Sequence, residues 1–213
     1  MSNDRVLMQC WRGGALKGAA LLGWVTLGIQ LYQNCQAAGS LLGGLDVFFS
    51  YLTVLINILA ALVLTCVASS GDSTLRRFFL QPSVQGGAAV GMILVALVYN
   101  LLLRVPLSFQ EFQWVPDELM HDVMPVLFLL YWWFCVPRGR LLWRDALPWL
   151  IYLLVYCAYL LLRGYLIGAY PYDFIDVGEL GYPQMFINAG RVVLAFVLLS
   201  VLLIAVDRWR GRR

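Results

Sequence analysis

The chain reads as an all-α integral membrane protein with six transmembrane helices and both termini in the cytoplasm. Three observations support this. Hydrophobic residues make up 62% of the chain and charged residues 13%, against roughly 45–50% and 25% in soluble domains; the mean hydropathy is +0.77. The apolar residues form long continuous runs, without the alternation of barrel strands, and only helices or closed barrels pair every backbone polar group in lipid. The basic residues fall on alternate loops, which sets the orientation.

Each span needs about 20 apolar residues to cross a hydrocarbon core of about 30 Å. The first runs from about Ala15 to Gln33, behind a basic segment with Arg5, Arg12 and Lys17. No small-residue cleavage site follows it, so it is expected to be retained. After a turn from Asn34 to Gly44, the second span covers about Leu45 to Ala68. A polar loop with Arg76 and Arg77 leads to the third, about Val84 to Leu103, whose Gly86, Gly87 and Gly91 permit close helix packing. A loop with Pro106, Glu111 and Pro116 precedes the fourth, about Glu118 to Val136. The basic turn of Arg138, Arg140 and Arg144 leads to the fifth, about Leu147 to Leu162. The longest loop, aromatic and acidic, leads to the sixth, about Gln184 to Val206, and to a tail with Arg208, Arg210, Arg212 and Arg213.

Twelve of the fifteen lysines and arginines then lie on the side of the termini. This predicts a multi-pass protein forming one domain, residues 1–213. Trp11, Trp114, Trp143 and Trp209 mark the boundaries, as an aromatic belt does. The five cysteines, Cys10, Cys35, Cys66, Cys135 and Cys157, have no C-x-x-C spacing, and neither a metal site nor a cofactor is implied. The basic tail follows from the orientation rule and does not indicate nucleic acid.

Polar residues inside the spans point to a function, because they are costly in lipid unless they face a partner or a cavity. On the second span, Asp46, Ser50, Thr53 and Asn57 are spaced four, three and four apart, which predicts one helix face. Gln184, Asn188 and Arg191 form a similar stripe on the sixth, with Arg191 expected to point into the bundle or to pair with an acid. Asn100 and Arg104 end the third span, and Arg163 ends the fifth. His121, the single histidine, heads the fourth, and Pro125 four residues later leaves its carbonyl without a helical partner. Because alternate helices reverse direction, all these groups belong to the outer half. The expectation is a polar chamber on that side, with almost nothing comparable in the cytoplasmic half. Asp122, about 100° around the helix from His121, is poorly placed to orient it, so an orienting group is expected from another helix.

A hydroxyl (Thr53), an imidazole (His121), amides (Asn57, Asn100, Asn188) and cations (Arg104, Arg191) are the parts of acyl transfer. An alcohol attacks a carbonyl at neutral pH when a base takes its proton, and imidazole suits that task. The oxyanion then needs preorganised donors.

The segments FFSYLTVLINILAALVL, MHDVMPVLFLLYW and YPYDFIDVGELGY, followed by an Asn in the last span, resemble the androgen-induced gene 1 family of membrane hydrolases, closest to its compact bacterial six-helix relatives. The resemblance implies a threonine nucleophile matching Thr53, a histidine matching His121, a bacterial inner-membrane location and activity on fatty acid esters of hydroxy fatty acids. Asp173 stands where bacterial relatives are expected to have a proline, and the histidine-to-proline spacing is one residue shorter than in animal members.

The reading is an intramembrane lipid-ester hydrolase. Thr53 and His121 are the candidate catalytic residues, with Asn57, Asn100, Arg104, Asn188 and Arg191 as candidate substrate or oxyanion ligands. The partners are membrane lipids and a lipid or fatty-acid ester. The alternatives are a lipid or small-molecule binding protein, which tolerates Thr53→Val; a small transporter, which needs polar groups at both depths; and a structural subunit, in which His121→Ala disturbs assembly.

Overall fold

The computed structural model describes residues 3–104 and 114–212. Pro106, Glu111 and Arg213, and the side chains of Arg5, Cys10, Trp11 and Arg12, lie outside the described residues.

Among the described residues every regular element is helical. Helix α1 (Asn3–Ala38) is followed after two residues by α2 (Leu41–Ser50), capped by the Ser40 hydroxyl, which accepts from the Gly43 N–H. Tyr51 is extended (φ −91°, ψ 126°), and α3 (Leu52–Ala68) departs from α2 at 86°. The predicted second span is therefore a broken one. Asp46 and Ser50 lie on one arm and Thr53 and Asn57 on the other, so the four do not share a single helix face.

A short α4 (Thr74–Phe79) occupies the loop before α5 (Pro82–Val98), which begins with proline, where the missing N–H is harmless. Helix α5 runs on into a π-helical turn, Tyr99–Leu103, closed by the Arg104 N–H to the Tyr99 carbonyl at 2.8 Å. Helix α6 (Trp114–Glu118), a second π turn (Leu119–Val123) and α7 (Met124–Cys135) form one column. Pro125 explains that second turn. It has no N–H for the His121 carbonyl, and the Met124 N–H reaches back to Leu119. Helix α8 (Ala146–Ile167) ends at Gly168 in the left-handed region, and α9 (Val177–Arg210) is interrupted at Gly181 (φ 70°, ψ 159°), just before Pro183.

Helix α1 packs along α2 and α3, α3 on α5, α5 on α7 and α9, and α8 on α9. Leu64, Met92, Met124, Phe128, Leu153 and Ile204 are fully enclosed between them. Two glycines of α5 permit this approach. A Cβ on Gly91 meets the Ile56 side chain at 2.6 Å, and one on Gly87 meets the Trp149 ring at 2.6 Å. The outside is apolar, with Leu97, Leu130, Ile151, Val155, Leu198 and Leu202 all exposed. Four helices, Gly13–Ala38, Pro82–Leu103, Trp143–Ile167 and Val177–Arg210, are long and apolar enough to cross a membrane, or five when the bent α2–α3 pair is counted as one span. The column Trp114–Cys135 carries Asp117, Glu118 and Asp122 in its first half and is not in that count.

The two ends of the bundle differ. The end holding the start of α3, the first half of the α6–α7 column and the end of α8 holds the candidate residues and is called the site end below. The opposite end is not bare, contrary to expectation. There the Asp207 carboxylate accepts from the Leu141 N–H at 3.0 Å, and Gln85 donates to the Phe79 carbonyl and accepts from the Tyr131 hydroxyl. Arg210 donates to the Trp133 carbonyl and lies over the Trp132 and Trp133 rings. These groups fasten loops to helix ends.

Candidate active site

The break at Tyr51 sets the geometry. A continuous helix needs the Ser50 carbonyl and the Leu52 N–H for its own ladder. Here two tyrosines take them. The Tyr156 hydroxyl donates to the Ser50 carbonyl at 2.8 Å, and the Leu52 N–H donates to the hydroxyls of Tyr156 (2.9 Å) and Tyr172 (3.0 Å). Tyr156 comes from α8 and Tyr172 from the loop before α9, so the break is held by the far side of the bundle. Thr53 consequently sits in the first turn of a new helix, where backbone N–H groups have no intrahelical acceptor and the helix dipole is positive.

Thr53 and His121 are brought together. Thr53 Oγ1 lies 3.1 Å from His121 Nε2, with the two residues only 7% and 8% exposed. His121 Nδ1 lies 2.8 Å from the backbone carbonyl oxygen of Asp117, one turn earlier in the same column. A carbonyl can only accept, so the ring proton is on Nδ1 and Nε2 presents its lone pair to the hydroxyl. The orienting group therefore comes from the histidine's own column, not from another helix as expected. Tyr99 stacks on the imidazole, with ring centroids 3.8 Å apart and planes inclined by 12°. The two π turns thus supply the histidine and the ring that holds its plane.

Asn57 has a different role from the one expected. Its amide nitrogen donates to the Thr53 carbonyl at 2.8 Å and to the Met120 carbonyl at 3.3 Å. Both donors are taken, so Asn57 ties α3 to the turn carrying His121 and does not point at a substrate. Asn100 donates to the Ala96 carbonyl and to Asp122, and Arg104 is paired with Glu118 and Asp122 at 2.8 and 2.6 Å. Asn188 donates to the Phe174 carbonyl. Arg191 is exposed and donates to Asn188 Oδ1 at 3.4 Å, and Gln184 shares that outer face. Arg163 is paired with Asp46 at 2.6 Å. The single polar chamber expected from the sequence is therefore not formed, because most of its members satisfy one another at the rim.

Two cavities meet at the Thr53–His121 pair. The larger, about 350 Å³, is apolar and lies between α5, α8 and α9, with Leu94, Val98, Leu160, Met185 and Val193 in its walls. Leu154, Phe186 and Gly190 also line it and are exposed, so it reaches the outer surface between α8 and α9. The smaller, about 250 Å³, lies at the site end and has a mixed lining that includes Gln30, Asn34, Tyr51 and Asp117. Thr53, Tyr99, Leu103, His121 and Tyr172 border both. The Tyr172 hydroxyl interacts with the Thr53 and Tyr156 side chains, and burial raises its pKa above the ordinary tyrosine value, which keeps it a neutral O–H.

No family model matches the chain, and no curated protein or solved structure matches it.

Sequence reasoning missed Tyr99, Tyr156 and Tyr172, and it missed the Asp117 carbonyl. Asp117 sits four residues before His121, a helical spacing that could have revealed it. Tyr156 lies in an apolar run rich in tyrosine and offers no such signal.

Proposed function

We propose that this protein is an intramembrane hydrolase of lipid carboxylic esters, with Thr53 as nucleophile and His121 as general base. The observation that supports this most directly is the Thr53 Oγ1 to His121 Nε2 contact of 3.1 Å at the wall of a deep apolar cavity. A structural threonine in a helix usually bonds back to its own helix, as Thr26 does to Leu22 and Thr65 to Ala61. Thr53 instead faces an unprotonated imidazole nitrogen.

The acyl chain occupies the apolar cavity, whose volume is that of a small ligand pocket, roughly 300–1,000 Å³. His121 Nε2 takes the Thr53 hydroxyl proton as Oγ1 attacks the ester carbonyl. The N–H groups of Thr53 and Val54, in the first turn of α3, and the Tyr172 hydroxyl stabilise the oxyanion. The tetrahedral species collapses, the C–O bond to the alcohol breaks, and the imidazolium returns the proton to the leaving oxygen. Water then gives a proton to Nε2 and attacks the acyl-threonine, releasing the fatty acid and returning the proton to Oγ1. Asp117 holds the tautomer throughout. The resemblance of the Thr53 and His121 blocks to the androgen-induced gene 1 family agrees with this assignment.

In the membrane the chain makes six crossings, the column Trp114–Cys135 being the sixth, with both termini on the arginine-rich, cytoplasmic side of a bacterial inner membrane. The site end then faces outward, and the gap between α8 and α9 admits a lipid chain laterally.

The test is turnover of a panel of long-chain esters by the purified protein, followed as released fatty acid. Wild-type turnover abolished in folded Thr53→Ala and His121→Ala supports the proposal; turnover unchanged in Thr53→Ala rejects it.

A further inference from the structure

The smaller cavity is not accounted for by the acyl chain. It lies against the ester-cleaving pair on the side away from the apolar cavity, which is where the alcohol half of a bound ester must project. Its lining is chemically distinctive. Asn34 is fixed by the Gln30 side-chain amide, which donates to Asn34 Oδ1 at 2.9 Å, and this leaves the buried Asn34 Nδ2 without a partner. Asp117 and the phenol of Tyr51 complete the polar part.

Among the described residues, no lysine or arginine lines this cavity. At the site end, Arg104 is held by Glu118 and Asp122, Arg163 by Asp46 and the Ala169 carbonyl, and Arg191 is exposed on α9, outside the lining. Asp117 is the one acidic residue among the described residues of the lining. A carboxylate or phosphate on the alcohol half would sit near Asp117 with no cation to neutralise it. Such a group can only accept hydrogen bonds, whereas the lining offers both an unpaired donor and acceptors. A hydroxyl both donates and accepts, and suits each.

We propose that this cavity is the subsite for the alcohol half of the ester, and that it selects a neutral, hydroxyl-bearing alcohol of the glycerol type over one carrying an acid. The proposal rests on the hydrolase reading of Thr53 and His121. It sets this chain apart from hydrolases whose leaving group is a hydroxy fatty acid. Once the alcohol has left, the same space admits the hydrolytic water.

Binding of two uncleavable ligands tests this without turnover. Hexadecyl glycerol ether has a neutral diol head, and the hexadecyl ether of glycolic acid has a carboxylate on the same chain. Dissociation constants are measured by native mass spectrometry on the full chain, for wild type, Thr53→Ala and Asn34→Leu. The expected result is tighter binding of the glycerol ether by about tenfold in wild type, with Asn34→Leu losing most of that preference, as removal of one buried hydrogen-bonding partner implies. Equal or tighter binding of the carboxylate overturns the subsite, as does an unchanged preference in folded Asn34→Leu. The wild-type comparison stands even where Asn34→Leu does not fold. Because neither ether is hydrolysed, a failed subsite and a failed hydrolase give different results. The first shows as lost selectivity in binding, the second as absent turnover with binding intact.

Discussion

His121 Nδ1 lies 2.8 Å from the Asp117 carbonyl oxygen, and this single contact decides what His121 can do for Thr53. With Nδ1 bound as the donor, Nε2 is left as an acceptor 3.1 Å from the threonine hydroxyl. The lone pair is therefore aimed before any substrate arrives. Removing it should lower kcat by about 10²–10⁴-fold, the usual contribution of a general base. His121→Gln, which can donate to the Asp117 carbonyl or to Thr53 but has no base, should be as inactive as His121→Ala while unfolding at a temperature nearer the wild type. Steady-state kinetics beside a thermal unfolding curve check both parts.

The Tyr172 hydroxyl borders both cavities and reaches Thr53. As an oxyanion donor it acts in the transition state, so Tyr172→Phe should lower kcat by about a hundredfold with little change in KM. A KM that rises while kcat holds would assign Tyr172 to substrate binding instead.

Tyr156 has a structural role. Its hydroxyl bridges the Ser50 carbonyl and the Leu52 N–H across the helix break. Tyr156→Phe leaves the Ser50 carbonyl without that partner and should destabilise the protein by about 1–3 kcal/mol. Thermal unfolding in detergent should show the loss; an unchanged midpoint would mean the break holds without this tyrosine.

Ala189 lines the apolar cavity from α9. Ala189→Phe shortens the space for the acyl chain. It should depress kcat/KM for long-chain esters by about tenfold or more, at a few kcal/mol for several displaced methylenes, and spare short-chain esters. A uniform loss across chain lengths would place the acyl group elsewhere.

Arg104 and Arg191 line neither cavity. Arg104→Gln and Arg191→Leu should each leave kcat/KM within about twofold, as surface substitutions do. A large KM increase on an acidic ester in either variant would restore the substrate-binding role expected of them from the sequence.

What was legible in the sequence was depth, and what was not was pairing. Thr53, His121, Asn100, Arg104 and Arg163 gather at one end because antiparallel helices of similar length bring those positions level. Thr53 and His121 do meet, but spacing along the chain contains no information about contact across it. The break at Tyr51 was invisible because neither proline nor glycine makes it. It is made by hydroxyls of Tyr156 and Tyr172, more than a hundred residues later in the chain. The polar stripe of Asp46, Ser50, Thr53 and Asn57 assumed an unbroken helix and failed with it. Arg191 was assigned to the interior because lipid disfavours charge, yet α9 turns its Gln184, Asn188 and Arg191 face outward and buries Met185 instead. The cavities had no signature, since they are spaces between helices rather than residues.

The central claim is that Thr53 is an activated nucleophile. The most direct measurement is labelling of the purified protein with a fluorophosphonate probe, read by peptide mass spectrometry in wild type, Thr53→Ala and His121→Ala, with folding verified and a known hydrolase as positive control. One adduct is expected, on Thr53, absent from Thr53→Ala and strongly reduced in His121→Ala. Folded wild-type protein that takes no label while the control does, or an adduct on Thr53 that persists without His121, would contradict it.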